Sequence, residues 1–516
     1  MLANIKSLRN VHRQLTESHQ ELEAHNNSAL TSGIYDPTLY TLALARTREL
    51  RDEFKRMIEE NLVTLDDGRR IFAHHLEALK GFAAINSLSL RDVMSRVTLS
   101  GGTVVEADLR AMGITTVDAL SQIETLRNLN LDSNPRLTSL AGIPTRQLEV
   151  LSAASCGLRG WLKPLNSATK LKILTLNDNT ELTSLAGVAL DNLDTVRATR
   201  CDLRGDLSSL VGAVHLTELW VNSNPRITSL AGVANPRLKV LDASDCGLRG
   251  DLSALAKAKA LTTLSVSGNK RLSSLAGIPT QSVEELCATN CSLTGDLSTL
   301  AGARKLRMVN VSHNPKLSSL AGIPERKMHY LHASHCRLQG DLSSLRGVVG
   351  LKELHVRGNR RLRSLHGVPT QNLREINVSD CGIKGDLSPL SGAQRLEVAN
   401  LSGNRGITSL NGLPKNNLKR LNVASCGISS LSSLSDAPKL VRLDASFNKQ
   451  LASLEGIPTA RKLDLKAEGC GPFGHVDLKA TLWLEIIKAW YVAFQTPTPT
   501  TSQICEKEVS REDEQI

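Results

Sequence analysis

The sequence predicts an α/β-type solenoid, and three observations carry that reading. Eight of the ten cysteines, Cys156, Cys201, Cys246, Cys291, Cys336, Cys381, Cys426 and Cys470, recur every 45 residues, with a final interval of 44. An asparagine series keeps the same rhythm: Asn134, Asn179, Asn224, Asn269, Asn314, Asn359, Asn404 and Asn448. Steps between the two series alternate between 22 and 23 and end in a 22–22 pair, so the unit is a coil of 22–23 residues in two flavours. Aromatic residues are only 3% of the 516, against 41% hydrophobic. The interior must therefore be filled by Leu, Val and Ala rather than by rings, which suits a thin, elongated core. Self-similarity at this period overrides the three or four domains that length alone would suggest.

Taken from the N-terminus, residues 1–100 are expected to be helical. Leu2, Ile5, Leu8, Val11 and Leu15 lie three or four apart, as do Leu50, Phe54, Ile58 and Leu62, and Ile71, Phe72, Leu79 and Phe82. They are read as a helical cap over the first coil rather than a separate partner-binding domain. The opening MLANIKSLRNVHRQL has no apolar h-region, so a secretory signal peptide is not expected. Lys6, Arg9 and Arg13 ahead of Glu17 would also suit a short mitochondrial presequence, but an ordinary amphipathic helix is the expectation.

Residues 101–474 are the solenoid, with about 17 coils. One flavour reads like LRNLNLDSNPRLTSLAGIP (126–144), the other like LEVLSAASCGLRG (148–160), usually continued by DLSSL as at 206–210 and 341–345. Met112 in MGI takes the place of Cys in CGL and marks a degenerate first unit. LxL with polar residues between is a short strand of period two. No coil can bury its Leu face alone, so each must pair in parallel with the next. At about 4.8 Å per strand, the ladder would run to roughly 80 Å. An Asn side chain offers both donors and acceptors to the backbone of its own and the adjacent turn. Cys is a smaller, mostly apolar substitute with one weak donor. The neighbouring core column alternates in step: Leu131, Leu176, Val221, Val266, Val311 and Val356 in Asn coils against Ala153, Ala198, Ala243, Ala288 and Ala333 in Cys coils. Large beside small interdigitates well.

LxxLxLxxN and LxxLxAxxC resemble the leucine-rich repeat, whose signature admits Asn or Cys at its last position. The resemblance spans about 103–470. It implies a right-handed superhelix with a parallel concave sheet and a mostly irregular or 3-10 convex side. GLRGDL is similar to the plant-type subclass and NPRLTSLAGIP to the short, helix-poor units of phosphatase regulators, so the subfamily stays open. Residues 475–495 are expected to form a C-terminal capping helix carrying Trp483, Trp490, Tyr491 and Phe494, with a docking helix as the alternative. Residues 496–516 have the composition of a disordered tail.

Outward positions of the strands, two, four and six residues before each Asn or Cys, are mostly Ser, Thr or Asn. Two patches differ: Arg197, Trp220 and Asp242, and Tyr330, His332, His355 and Arg357. Trp, Tyr and Arg are common interface anchors, so these are the candidate partner-binding residues. The net charge of +11 belongs to the repeats, because residues 1–100 carry 13 basic and 13 acidic groups and residues 475–516 carry 4 and 7. Two basic columns follow the strands: Arg136, Arg226, Arg271, Lys316 and Arg361, and Arg159, Arg204, Arg249 and Lys384, interrupted by Glu181, Thr294 and Gln339. They are expected to line one rim, either as a solvated face or as a landing strip for an acidic partner. Without interleaved aromatics, single-strand nucleic acid is the weaker alternative.

Enzymatic chemistry is not expected. The ladder cysteines are too regular for nucleophiles, no CxxC pair suggests zinc, and no Gly-rich phosphate loop occurs. The column Asp206, Asp251, Asp296, Asp341 and Asp386 precedes Leu-Ser and is read as turn capping rather than a metal site. No cofactor is expected. No run of about 18 uncharged apolar residues predicts a membrane span. Unpaired thiols at alternate rungs, roughly 10 Å apart, are too far for disulfides and point to a reducing compartment, the cytoplasm foremost. The predicted function is a scaffold that binds a protein partner through the concave face. The alternatives are a regulatory subunit recruiting a phosphatase or ubiquitin ligase, and a nucleic-acid-associated protein using the rim.

Overall fold

A computed structural model of the chain describes residues 2–32, 37–458 and 463–471. The expected C-terminal helix and tail lie outside these residues. The chain divides into two compact units, 1–246 and 247–516.

The first unit opens with helices Leu2–Ser32 and Pro37–Glu60, which pack on each other. Ser18 and Thr47 hydroxyls meet at 2.9 Å across the pair. The second of these helices buries none of its residues. A short antiparallel hairpin, Leu62–Thr64 with Arg70–Phe72, leads into helix Ala73–Ile85. That helix buries His75, Leu76, Ala78, Leu79, Phe82 and Ala83 and packs on the first 3-10 turn, Asp118–Gln122. Strand Val97–Ser100 then pairs antiparallel with Thr103–Asp108, which in turn pairs parallel with Asn128–Asn130. The stack thus begins with its first edge covered, which removes a template for unwanted strand addition.

From there the stack is regular. Strands 103–108, 128–130, 150–152, 173–175, 195–197, 218–220 and 240–242 pair in parallel, each with the next in sequence. In the second unit ten strands do the same, from Thr263–Ser265 to Asp464–Lys466. The central residue of each three-residue strand is buried and its neighbours face outward, as period two requires. Among the described residues the return path holds a 3-10 turn about once per 45 residues, in the Met112 coil (Asp118–Gln122) and in Cys coils, as at Ser208–Leu210 and Ser253–Leu255.

The Asn and Cys positions occupy equivalent corners. Every ladder Asn is almost wholly buried. Asn224 Nδ2 donates to Ala198 O of the coil before (2.8 Å) and to Val221 O of its own coil (2.8 Å), and its Oδ1 accepts from Leu203 N (3.1 Å). Cys246 Sγ donates to the same Val221 O at 3.4 Å. Asn134 with Cys156, Asn179 with Cys201, Asn314 with Cys336, Asn359 with Cys381 and Asn404 with Cys426 repeat the scheme. Asn448 with Cys470 does so at the far end, while Asn269 and Cys291 each reach Val266 O. Asn therefore ties two coils, and Cys adds a second, weaker donor to a carbonyl already bonded.

The residue before each corner adopts a left-handed conformation, including bulky Arg200 (φ 53) and Phe447 (φ 62). Ala111 (φ 56) does so before Met112, whose N–H donates to Asn134 Oδ1 (3.1 Å). The core column is buried throughout, but its large–small alternation fades once Val378 and Val423 take Cys-coil places.

Candidate functional site

The outward face of the sheet holds the residues singled out from sequence. In the first unit, register sets Arg197 beside Trp220, and Trp220 beside Asp242. Glu218, on the same strand as Trp220, joins two of them: its Oε2 accepts from Arg197 Nη2 (3.3 Å) and Trp220 Nε1 (3.4 Å). The indole and guanidinium are thereby held side by side. Asp242 is occupied otherwise, accepting from Ser244 N (3.0 Å) and Ser244 Oγ (2.6 Å). Trp161, on the return side, is 72% exposed.

In the second unit, Tyr330 and His332 share a strand, with Glu353 and His355 on the next and Glu375 on the one after. His332 Nε2 lies 2.8 Å from Glu353 Oε1. His355 Nε2 lies 3.4 Å from that oxygen and 3.1 Å from Glu375 Oε1. The two imidazoles stack at 4.5 Å, 11° from parallel. Tyr330 stands 40% exposed beside them, directly opposite Glu353. Arg357 turns away, pairing through Nε with Asp380 Oδ2 at 3.0 Å. A second stacked pair, His313 and His335, sits past the strand ends at 4.8 Å. Burial first, then His313 and Arg357, holds His335 below the ordinary imidazole range.

Sequence reasoning missed Glu218, Glu353 and Glu375. Each lies six residues before a ladder Asn or Cys, an outward position, but nothing local showed which histidine, Arg or Trp each would meet.

The rim has structure that the sequence did not disclose. The two basic columns belong to a second set of two-residue parallel strands: Arg204 opposes Arg226, Arg249 opposes Arg271, and Gln339 opposes Arg361. Lys384 pairs with Gly406, Thr294 with Lys316, and Arg159 with Glu181. Like charges directly opposite are unfavourable, and acids offset some of them. Asp202 contacts both Arg204 and Arg226, and Glu181 meets Arg159 at 3.0 Å. Arg136 lies in the turn after Asn134, outside these pairs.

Burial pushes the thiols of Cys156, Cys201, Cys336, Cys381 and Cys426 up to about 11 and that of Cys246 to about 12. They stay protonated, and thiols are weak nucleophiles. Asp206, Asp251, Asp296, Asp341 and Asp386 each accept the backbone N–H of the Ser two residues on, at 3.0–3.1 Å. Hydrogen bonds from that Ser, led by its hydroxyl at Asp206 and Asp386 and by its backbone N–H at the other three, lower the carboxyl ranges, and the groups cap the 3-10 turns. A cleft of about 250 Å³ lies between Ser318–Leu320 and Leu338–Ser344, but its one acid, Asp341, is engaged in this way.

No family model matches the chain, and no curated protein does. Solved leucine-rich-repeat structures are similar to it. An internalin, InlF from Listeria monocytogenes, is 14% identical over 78% of this chain and 96% of that one, with a TM-score of 0.41. The Leptospira interrogans LRR protein LIC12759 is 18% identical over 67% and 90%, with a TM-score of 0.48. The functional domain of InlJ from Listeria monocytogenes, described as including a cysteine ladder, is 20% identical over 68% and 67%, with a TM-score of 0.43.

Proposed function

The chain folds as a leucine-rich-repeat solenoid, and from that premise we propose that it is a non-enzymatic scaffold binding a protein partner through the outward face of its sheet. The observation that carries the reading is the Arg197–Glu218–Trp220 cluster. An indole and a guanidinium are braced by one carboxylate on a face otherwise made mostly of small polar side chains. Aromatic and Arg side chains with little freedom left to lose make good anchors, because binding then costs less ordering entropy. Tyr330, with His332, His355 and Arg357, is the second candidate anchor. Asp242 contributes through its turn rather than through a free carboxylate.

The free thiols of Cys156, Cys201, Cys246, Cys336, Cys381, Cys426 and Cys470 support residence in a reducing compartment. No helix among those residues is long and apolar enough to cross a membrane. A role in bringing a phosphatase or ligase to a target is one form this scaffold could take, and the partner's identity decides it.

Affinity capture with quantitative mass spectrometry tests the proposal. Trp220→Ala should deplete a specific partner at least about tenfold, a loss of ~1.4 kcal/mol, with an unchanged melting temperature. Tyr330→Ala tests the second patch separately. Capture unaltered by both substitutions would remove the reading. Binding to RNA that persists with a steep salt dependence would instead favour the paired rim arginines.

A further inference from the structure

Four ligand-type side chains converge on three adjacent strands of the second unit: His332, Glu353, His355 and Glu375. Their side chains are 24–37% exposed, so they are open to solvent ions yet partly desolvated. The ligand atoms of His332, Glu353 and His355 all lie within 4.8 Å of one another. A tetrahedral ion with bonds of about 2.0–2.1 Å sets its ligand atoms ~3.3 Å apart. The three closest contacts here are 2.8, 3.1 and 3.4 Å. Closing the set requires only side-chain rotation, because register fixes the strands that carry it.

The donor set also selects the ion. Imidazole with carboxylate suits zinc-type borderline metals, whereas Mg²⁺ and Ca²⁺ prefer all-oxygen shells. Two neutral imidazoles and two carboxylates balance a divalent charge.

We propose that His332 Nε2, His355 Nε2 and the Glu353 carboxylate bind a divalent transition-metal ion of the zinc type, with Glu375 as the fourth ligand. The inference stands on these side chains alone and does not depend on the scaffold reading. The ion would clamp three neighbouring strands on the outward face. Desolvation holds the ladder thiols of Cys156, Cys201, Cys246, Cys336, Cys381 and Cys426 protonated, so they do not compete for it.

The test is calorimetric titration of the full chain with Zn²⁺, after EDTA treatment and in a phosphine reductant. One equivalent should bind. His332→Gln with His355→Gln should weaken binding at least about tenfold, and Glu353→Gln alone, which preserves size and hydrogen bonding, should also weaken it. His313→Gln with His335→Gln, altering the other stacked pair, should leave it intact. Co²⁺ should give tetrahedral d–d bands without thiolate charge-transfer absorption. Absence of Zn²⁺ binding, equal binding by wild type and the His332/His355 variant, or a thiolate band would each overturn the proposal. Circular dichroism without metal confirms that the variants are folded.

Discussion

The corner asparagines set the fold's tolerance to single substitutions. Asn224 satisfies three backbone groups, Ala198 O, Val221 O and Leu203 N, and Cys246 in the equivalent place reaches one of them. Asn224→Ala would leave Ala198 O and Leu203 N without their side-chain partner, while Val221 O keeps Cys246 Sγ. The expected cost is about 3 kcal/mol, the sum of two buried unsatisfied groups. Cys246→Ala should cost markedly less, since its carbonyl is still bonded by Asn224. Urea denaturation of both variants measures the difference, and equal losses would show that the corner is held by packing rather than by the amide. Bulky residues in the left-handed position before the corner, such as Arg200, support the same ordering: the corner's hydrogen bonds outweigh a local backbone cost of roughly 1–2 kcal/mol.

Among the elements, the helix Ala73–Ile85 has the most specific link to the stack. His75 is almost fully buried, and its Nδ1 accepts from Val104 N at 3.2 Å. That bond requires the neutral ring with its proton on Nε2. Burial first, then neighbouring His74, pulls the His75 imidazole down to about 3 from its ordinary 6.5. The folded value lies below the unfolded one, so the contribution to stability is full above pH 6.5 and is lost as pH falls toward 3. By pH 5 the loss from this group should be about 2 kcal/mol. His75→Gln keeps a hydrogen-bonding side chain without a titrating ring. Wild type should therefore lose more stability than the variant between pH 7.5 and 5 in urea titrations. Parallel losses would mean that carboxylates alone set the acid response. The sequence signalled a helix here through Leu79 and Phe82, but not that its histidine would face a strand some thirty residues on.

At the scale of each whole unit, the ladder thiols report on global opening. All but the half-buried Cys336 are buried, at intervals along both stacks, so no single frayed end exposes them all. Cys287, by contrast, lies half-buried on the outward face of strand Glu285–Cys287. Iodoacetamide should modify Cys287 in the native chain while the buried ladder cysteines, the half-buried Cys336 aside, remain unlabelled until denaturant unfolds their unit. Mass spectrometry of peptides from the two states reads this directly, and native labelling of Cys201 or Cys381 would contradict the buried assignment.

The 22–23-residue period, the Asn and Cys corners and the buried column from Leu131 to Val356 could all be read from the sequence. Burial imposes the same requirement on every coil, so the requirement is written as repetition. The outward positions carry no such constraint. That Glu353 sits between His332 and His355, that Glu218 braces Arg197 against Trp220, and that the rim arginines pair across a second strand all depend on cross-strand register and rotamers. The cross-strand members of these sets lie about 22 residues apart, and their types vary freely from coil to coil, so only the tertiary structure could bring them together.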